Sequence, residues 1–343
     1  MHSDSAKYLG LPPDRSWLEK LREDVLEPEL PIIDAHHHLW DHAGDRYLLD
    51  EMLADTGAGH NILGTVYVQA FAGYRHSGPE EMRPVGETEF AAAFADECVR
   101  RGSHTQLPAG IVSYAELLLG DRVAPVLEAH VEAGGGRFRG IRRIAARDHY
   151  VVSVMYPQPP LGMLMEPRFH DGMARLKQLG LSFDCFIFHT QLHELAVLAD
   201  ACPDVPIVLN HCGSPLGIGP YAGKRQEIFD IWAAGLRNVA KRPNVFLKIG
   251  GMAIKLFGFG FNDQVLPPSS GELAAAWKPY VETGIAAFGV ERCMFEVNFP
   301  PDKGGCSYVS AWNAFKRLTV SASADERAAL FHDTARRFYR LDI

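Results

Sequence analysis

Eight short, continuous apolar runs separated by helix-length segments constrain the fold of this chain more than any other feature. They are Pro31–Ile33, Gly64–Gln69, Ala109–Ser113, Phe138–Arg142, Leu181–Phe188, Val205–Leu209, Asn244–Ile249 and Arg292–Phe295. Unbroken apolar runs, rather than alternating ones, suit strands buried on both faces of a parallel sheet. Between and after them Glu87–Arg101, Arg122–Ala133, Pro167–Leu179, Gln191–Cys202, Lys224–Lys241, Ser270–Phe288 and Ala324–Tyr339 read as helices. The alternation predicts an α/β chain folded as a (β/α)8 TIM-type barrel over 31–343, with residues 1–30 as an N-terminal extension. A doubly wound sheet would want a glycine-rich phosphate turn after its first strand. Here the first strand runs into histidines instead. Two long connections, Ala145–Glu166 and Gly250–Gly271, would lie at the C-terminal face of such a barrel, where active sites form.

Charge and cysteine usage narrow the function classes. Lys and Arg total 34 against 42 Asp and Glu, a net charge of −8. That argues against a nucleic-acid binder, which needs a basic stripe. The six cysteines form no CxxC pair and read as free thiols of a reducing compartment. The first residues are polar and charged, with no apolar segment of signal-peptide type, and no apolar run approaches the length of a membrane span. The expectation is a cytoplasmic enzyme acting on a small molecule, with no nucleic-acid or membrane partner. Self-association into a homo-oligomer stays open.

The residues able to carry chemistry gather at strand ends. In Asp34-Ala35-His36-His37-His38, alternate side chains share a face, so His36 and His38 would point together and His37 away. Two imidazoles side by side form a natural metal pair. The competing reading is a polar strand end with satisfied core histidines. His189 and His211 end the fifth and sixth strands, and their position at the C-terminal ends makes them candidates too. The eighth strand runs Glu296-Val-Asn298-Phe-Pro-Pro-Asp302. A carboxylate there could bind a metal or take a proton from water, whereas Asn298 is a neutral amide and no base. Asp302, four residues on, is the nearest substitute if the loop folds back, or else merely caps the turn. Glu296 shares the parity of Asn298 and is a weaker candidate. Arg142 can hold a substrate carboxylate with a bidentate fork or form a structural ion pair, and Gln69 ends strand two beside it. Lys248, inside the seventh strand, needs a buried partner. The aromatic-rich 250–271 loop reads as a lid or as packing against another subunit.

The segments PIIDAHHHLWD, GTVYVQAF, VGETEF, FRGIRR, LSFDCFIFH, IVLNHCGSPLGIGPYAGKR, NVFLKIGGM and ERCMFEVNFPPDK together resemble the amidohydrolase superfamily. The resemblance is to the branch that includes 2-pyrone-4,6-dicarboxylate lactonase, L-fuconolactonase and L-rhamnonolactonase. It covers nearly the whole chain and implies a distorted (β/α)8 barrel with hydrolysis at its C-terminal mouth. By position it implies His36, His38 and His189 as ligands of one divalent ion, zinc foremost, or as direct hydrogen-bonding groups in a metal-independent site. It implies His211 as a second catalytic histidine and Arg142 as a substrate contact. The chain departs from the superfamily at Asn298, where an aspartate is usual, and at Arg142, where a bridging lysine is usual. The second departure argues against a binuclear centre.

These readings converge on a hydrolase opening a lactone or related cyclic ester, with an anionic substrate. His189, His211, Asp302 and Asn298 are its catalytic candidates, and Arg142 and Gln69 its substrate contacts. A metal-dependent decarboxylase of an aromatic or muconate-type acid is the runner-up. A barrel that binds its ligand without turnover is the third reading.

Overall fold

Every apolar run named above that flanks a helix-length segment becomes a barrel strand in the computed structural model, which describes residues 14–42, 45–151 and 158–343. The strands are β1 (Pro31–His37), β2 (Asn61–Val68), β3 (Gln106–Ser113), β4 (Phe138–Arg142), β5 (Ser182–Cys185), β6 (Ile207–Leu209), β7 (Val245–Ile249) and β8 (Cys293–Phe295). They pair in parallel, each with its chain neighbour, from β1 to β8. Backbone bonds beyond the regular strands close the ring: Asn298 donates to His36 at 3.1 Å and His38 to Phe299 at 2.8 Å. The closure therefore fastens the histidine segment to the strand-eight loop. Among the described residues no helix is long and apolar enough to cross a membrane. The first 13 residues of the expected extension, and residues 152–157 of the long loop after β4, lie outside the described residues.

Two packed layers surround this ring. One, between strands and helices, holds most of the apolar side chains. The other is inside the barrel, where Ile33, Ala35, Val66, Val68, Val112, Val208 and Met294 meet Phe338, Tyr339 and Leu341 of the chain's end. Tyr339 ends the last helix, Thr334–Tyr339, which plugs the interior. The expected single helix Ala324–Tyr339 is interrupted by a π-helical stretch at Ala329–Asp333. Phe331 there is fully buried against Phe295, with ring centroids 4.9 Å apart.

Several boundaries differ from the sequence expectation. Strand five stops at Cys185, so Phe186–Phe188 belong to the connection that carries His189. Tyr308–Leu318, not expected as a helix, is one, capped by Ser307, whose hydroxyl accepts from Ser310 N. That helix holds the extension: Lys316 Nζ donates to the carbonyls of Leu26 and Glu27 at 2.6 and 2.9 Å. The 250–271 loop packs on its own chain. Phe257 and Phe261 are buried, and Phe259 lies under the Arg225 guanidinium at 4.3 Å.

Candidate active site

A local irregularity in β1 sets the site. Its pairing with β2 shifts between Asp34 and His37. Ile33 and Ala35 face the interior, and strict alternation from them would turn His36 outward. With the shift, His36 and His38 both point inward, their Nε2 atoms 3.3 Å apart. His37 points away, 2.9 Å from Thr65 Oγ1, and burial pushes its pKa down to about 3.

Glu296 organises the next layer. Its Oε2 lies 2.8 Å from His36 Nδ1, and its Oε1 lies 2.8 Å from His211 Nδ1 and 3.0 Å from His211 N. Although fully buried, its carboxyl is held below the ordinary range, because the charges and hydrogen bonds of His211 and Lys248 outweigh desolvation. An ionised carboxylate only accepts, so His211 carries its proton on the Nδ1 bonded to Glu296, leaving Nε2 as the lone-pair nitrogen. His38 reaches the same state differently: its Nδ1 donates to Val68 O at 2.7 Å.

Asn298 completes the constellation. Its Nδ2 donates to Asp302 Oδ2 at 2.6 Å, which turns Oδ1 toward His38 Nε2 at 3.1 Å. Asp302 also accepts from Ala253 N at 2.6 Å, so both of its oxygens are engaged and it meets His38 only through the amide. Burial raises its pKa well above the carboxylate range. Asn298, His211, Cys212 and Ser214 all have left-handed backbones, with φ between 44° and 53°. Such conformations cost energy in non-glycine residues and persist where surrounding structure enforces them.

Arg142 enters from β4. Its Nε donates to Gln69 Oε1 at 3.2 Å, its Nη2 to Gln69 O, and its Nη1 lies 3.3 Å from His36 Nε2. Gln69 Nε2 is buried without a hydrogen-bond partner. Lys248 finds the partner its position demands in Asp184, at 2.7 Å, and Asp184 also accepts from Asn210 and Tyr339. Asp184 was missed by the sequence reading, although an aspartate inside the apolar run Phe183–Phe188 was its signal.

His189 stands apart from this group. Its Nδ1 accepts from Leu216 N at 3.3 Å, its ring meets Tyr221 edge-on at 5.3 Å, and burial lowers its pKa to about 4. Tyr221 in turn donates to Asp148 Oδ2 at 2.7 Å, tying the loop after β6 to the loop after β4 above it. A surface cleft of about 620 Å³ lies elsewhere, lined by Arg15, Arg22, Lys303 and Tyr308 among others. Concavity alone therefore does not find this site: His38, His211 and Asn298 are at most 4 % exposed.

The possible metal ligands that cluster most tightly among the described residues are His36, His211 and Glu296, within 4.8 Å of one another. Glu296 Oε1 is taken up by two hydrogen bonds from His211, so we read Glu296 as orienting that imidazole rather than ligating. The donor set that fits one divalent ion is His36 Nε2, His38 Nε2 and Asn298 Oδ1. Two imidazole nitrogens 3.3 Å apart match the spacing around one tetrahedral ion bound at about 2.0–2.1 Å.

The family model described as Amidohydrolase matches residues 33–341. A protein of Sinorhizobium fredii named y4mH is 33 % identical over 335 residues, covering 91 % of this chain and 99 % of its own. The L-fucono-1,5-lactonase of Burkholderia multivorans is 24 % identical over 322 residues, covering 90 % and 96 %. A crystal structure of an amidohydrolase from Burkholderia multivorans with bound zinc superposes with a TM-score of 0.70 at 22 % identity, covering 90 % and 99 %.

Proposed function

The chain belongs to the amidohydrolase family, and on that premise we propose that it hydrolyses a lactone or related cyclic ester. The observation that carries this reading is the Glu296 carboxylate, hydrogen-bonded through Oε1 to both Nδ1 and the backbone N–H of His211. A buried acceptor on Nδ1 makes Nε2 of His211 a base and stabilises the imidazolium that forms when it takes a proton, the logic of a carboxylate–histidine pair.

His211 Nε2 removes a proton from water as the water oxygen attacks the ester carbonyl carbon. Arg142, 3.3 Å from His36 Nε2, supplies a donor to the oxygen that gains charge. The ring C–O bond then breaks, and the leaving alkoxide takes the proton back from His211. Gln69, whose Nε2 has no partner, and Arg142 bind the substrate's polar groups, a carboxylate first among them. Asp302 acts by holding Asn298, in place of the base role the sequence offered it. His36, His38 and Asn298 would hold a divalent ion, and such an ion supplies Lewis-acid polarisation of the carbonyl when bound. Zinc leads because the ligands are two imidazoles and an oxygen, and because the related Burkholderia amidohydrolase carries it. His189, 4 % exposed beside Tyr221, is assigned to the substrate side of the site.

The test is proton release from a panel of sugar lactones, muconolactones and pyrones, followed with a pH indicator with and without chelator. Release on one lactone class, lost in His211→Asn, supports the reading. Silence on every lactone, with carbon dioxide evolved from carboxylated aromatics, overturns it in favour of decarboxylation.

A further inference from the structure

Nδ1 of His36 has two neighbours of opposite kind. Lys248 Nζ, 3.2 Å away, hydrogen-bonds it, and Glu296 Oε2 lies 2.8 Å away with no hydrogen-bond partner of its own. A carboxylate accepts and an ammonium donates, so one Nδ1 cannot satisfy both. With Glu296 engaged, the His36 proton sits on Nδ1, and its Nε2 lone pair faces that of His38. With Lys248 donating, the proton sits on Nε2, which then no longer accepts from Arg142 Nη1 at 3.3 Å, and is shared with His38 Nε2 at 3.3 Å. His38 can accept it, because its own proton is held by Val68 O. Lys248 is wholly buried. Its place is fixed from outside the histidine pair, through Asp184, which Asn210 and Tyr339 also bond.

We propose that Lys248 is a positioning residue that competes with Glu296 for Nδ1 of His36 and thereby sets how strongly His36 and His38 take up a divalent ion. While Lys248 holds Nδ1, the two Nε2 atoms are closed on each other by their own hydrogen bond, and an ion must displace that bond. The lysine's fixed charge beside His36 opposes a second cation as well. When Glu296 holds Nδ1, the pair is open. The inference concerns ion uptake alone and stands apart from the choice of substrate.

Zinc affinity of the chelator-stripped full chain, measured by competition with a chromophoric chelator and without substrate, tests this. Lys248→Met keeps an unbranched side chain, one atom shorter, and removes its charge and donor. Zinc binding about tenfold tighter than wild type, or more, is the expected result. A lysine that merely supported the fold would give the opposite sign, a loosened and weaker site. Lys248→Gln, which removes the charge and keeps a polar side chain beside Asp184, gives a second reading of the same shift if the methionine variant does not fold. Nitrogen NMR of the ion-free protein reads the proton directly, with His36 protonated on Nε2 in wild type and on Nδ1 in the variants. Unchanged or weaker zinc binding in both variants overturns the proposal. So does one His36 tautomer throughout, or no zinc uptake by any of the proteins.

Discussion

The carboxylate of Asp302 decides which face of the Asn298 amide meets His38. Asn298 Nδ2 donates to Asp302 Oδ2 at 2.6 Å, so Oδ1 points at His38 Nε2, 3.1 Å away. An amide can turn either its oxygen or its nitrogen inward, and only a fixed acceptor behind it selects the oxygen.

Asp302→Ala removes that acceptor and leaves the amide free to flip. Partners that orient a site's inner groups are typically worth about 10- to 100-fold, and a kcat loss of that size is expected. The circular-dichroism spectrum should be unchanged. Activity equal to wild type would show that the amide's orientation does not matter.

Gly251→Ala tests the Glu296–His211 pair from the other side. Gly251 has φ +63°, and an added Cβ would fall 2.3 Å from His211 Nδ1. His211 must then leave Glu296. Turnover is expected to fall about 100-fold or more, as for loss of a general base, and much less at Gly78, which has open space around it. Steady-state rates of the two alanine variants make the comparison.

Arg142→Lys keeps a charge and discards the planar fork that bonds Gln69 through Nε and Nη2. The expected outcome is a KM raised about tenfold for a carboxylated lactone, since a point charge cannot replace bidentate recognition. The effect should be smaller for an uncharged lactone. Equal effects on both would remove Arg142 from carboxylate binding.

Glu87 supplies a pH dependence. Its Oε1 accepts from Tyr67 OH and from the amides of Ala70 and Ala72, holding the loop behind Gln69. Burial nevertheless raises its pKa from 4.5 to about 7. The folded state thus keeps this proton to higher pH than the unfolded chain, and stability falls as pH rises between those values. The associated stability is full below about 4.5 and gone above about 7. Glu87→Gln removes the titration. Its melting temperature, relative to wild type, is expected to compare more favourably at pH 8 than at pH 5, and a pH-independent difference would contradict the assignment.

Much of this was legible in the chain. Buried parallel strands have no polar face, so their sequences are unbroken apolar runs, and eight of them announced the barrel. Histidines and Arg142 at the ends of those runs announced its mouth, because in this fold the loops after the strands meet there. Less legible were the groups behind the mouth. Asp184 drew no reading inside its apolar run, and Glu296 read as a weaker candidate sharing the parity of Asn298. Their roles are pairings across the ring, with Lys248 in β7 and with His211 after β6.

The amino-acid sequence by itself determined the strand rhythm, the histidine, arginine and amide inventory of the site, and the family. The tertiary structure alone decided which atoms face one another. Strict alternation from Ile33 would have turned His36 outward, and the register shift between Asp34 and His37 brings it in. Asp302, offered as a base, meets the site by accepting from Asn298 Nδ2. His189 was grouped with His36 and His38 and sits against Tyr221. The physical reason is common to all three. Local sequence fixes periodicity and residue type, whereas hydrogen-bond partners 85 or 260 residues apart meet only when the barrel closes.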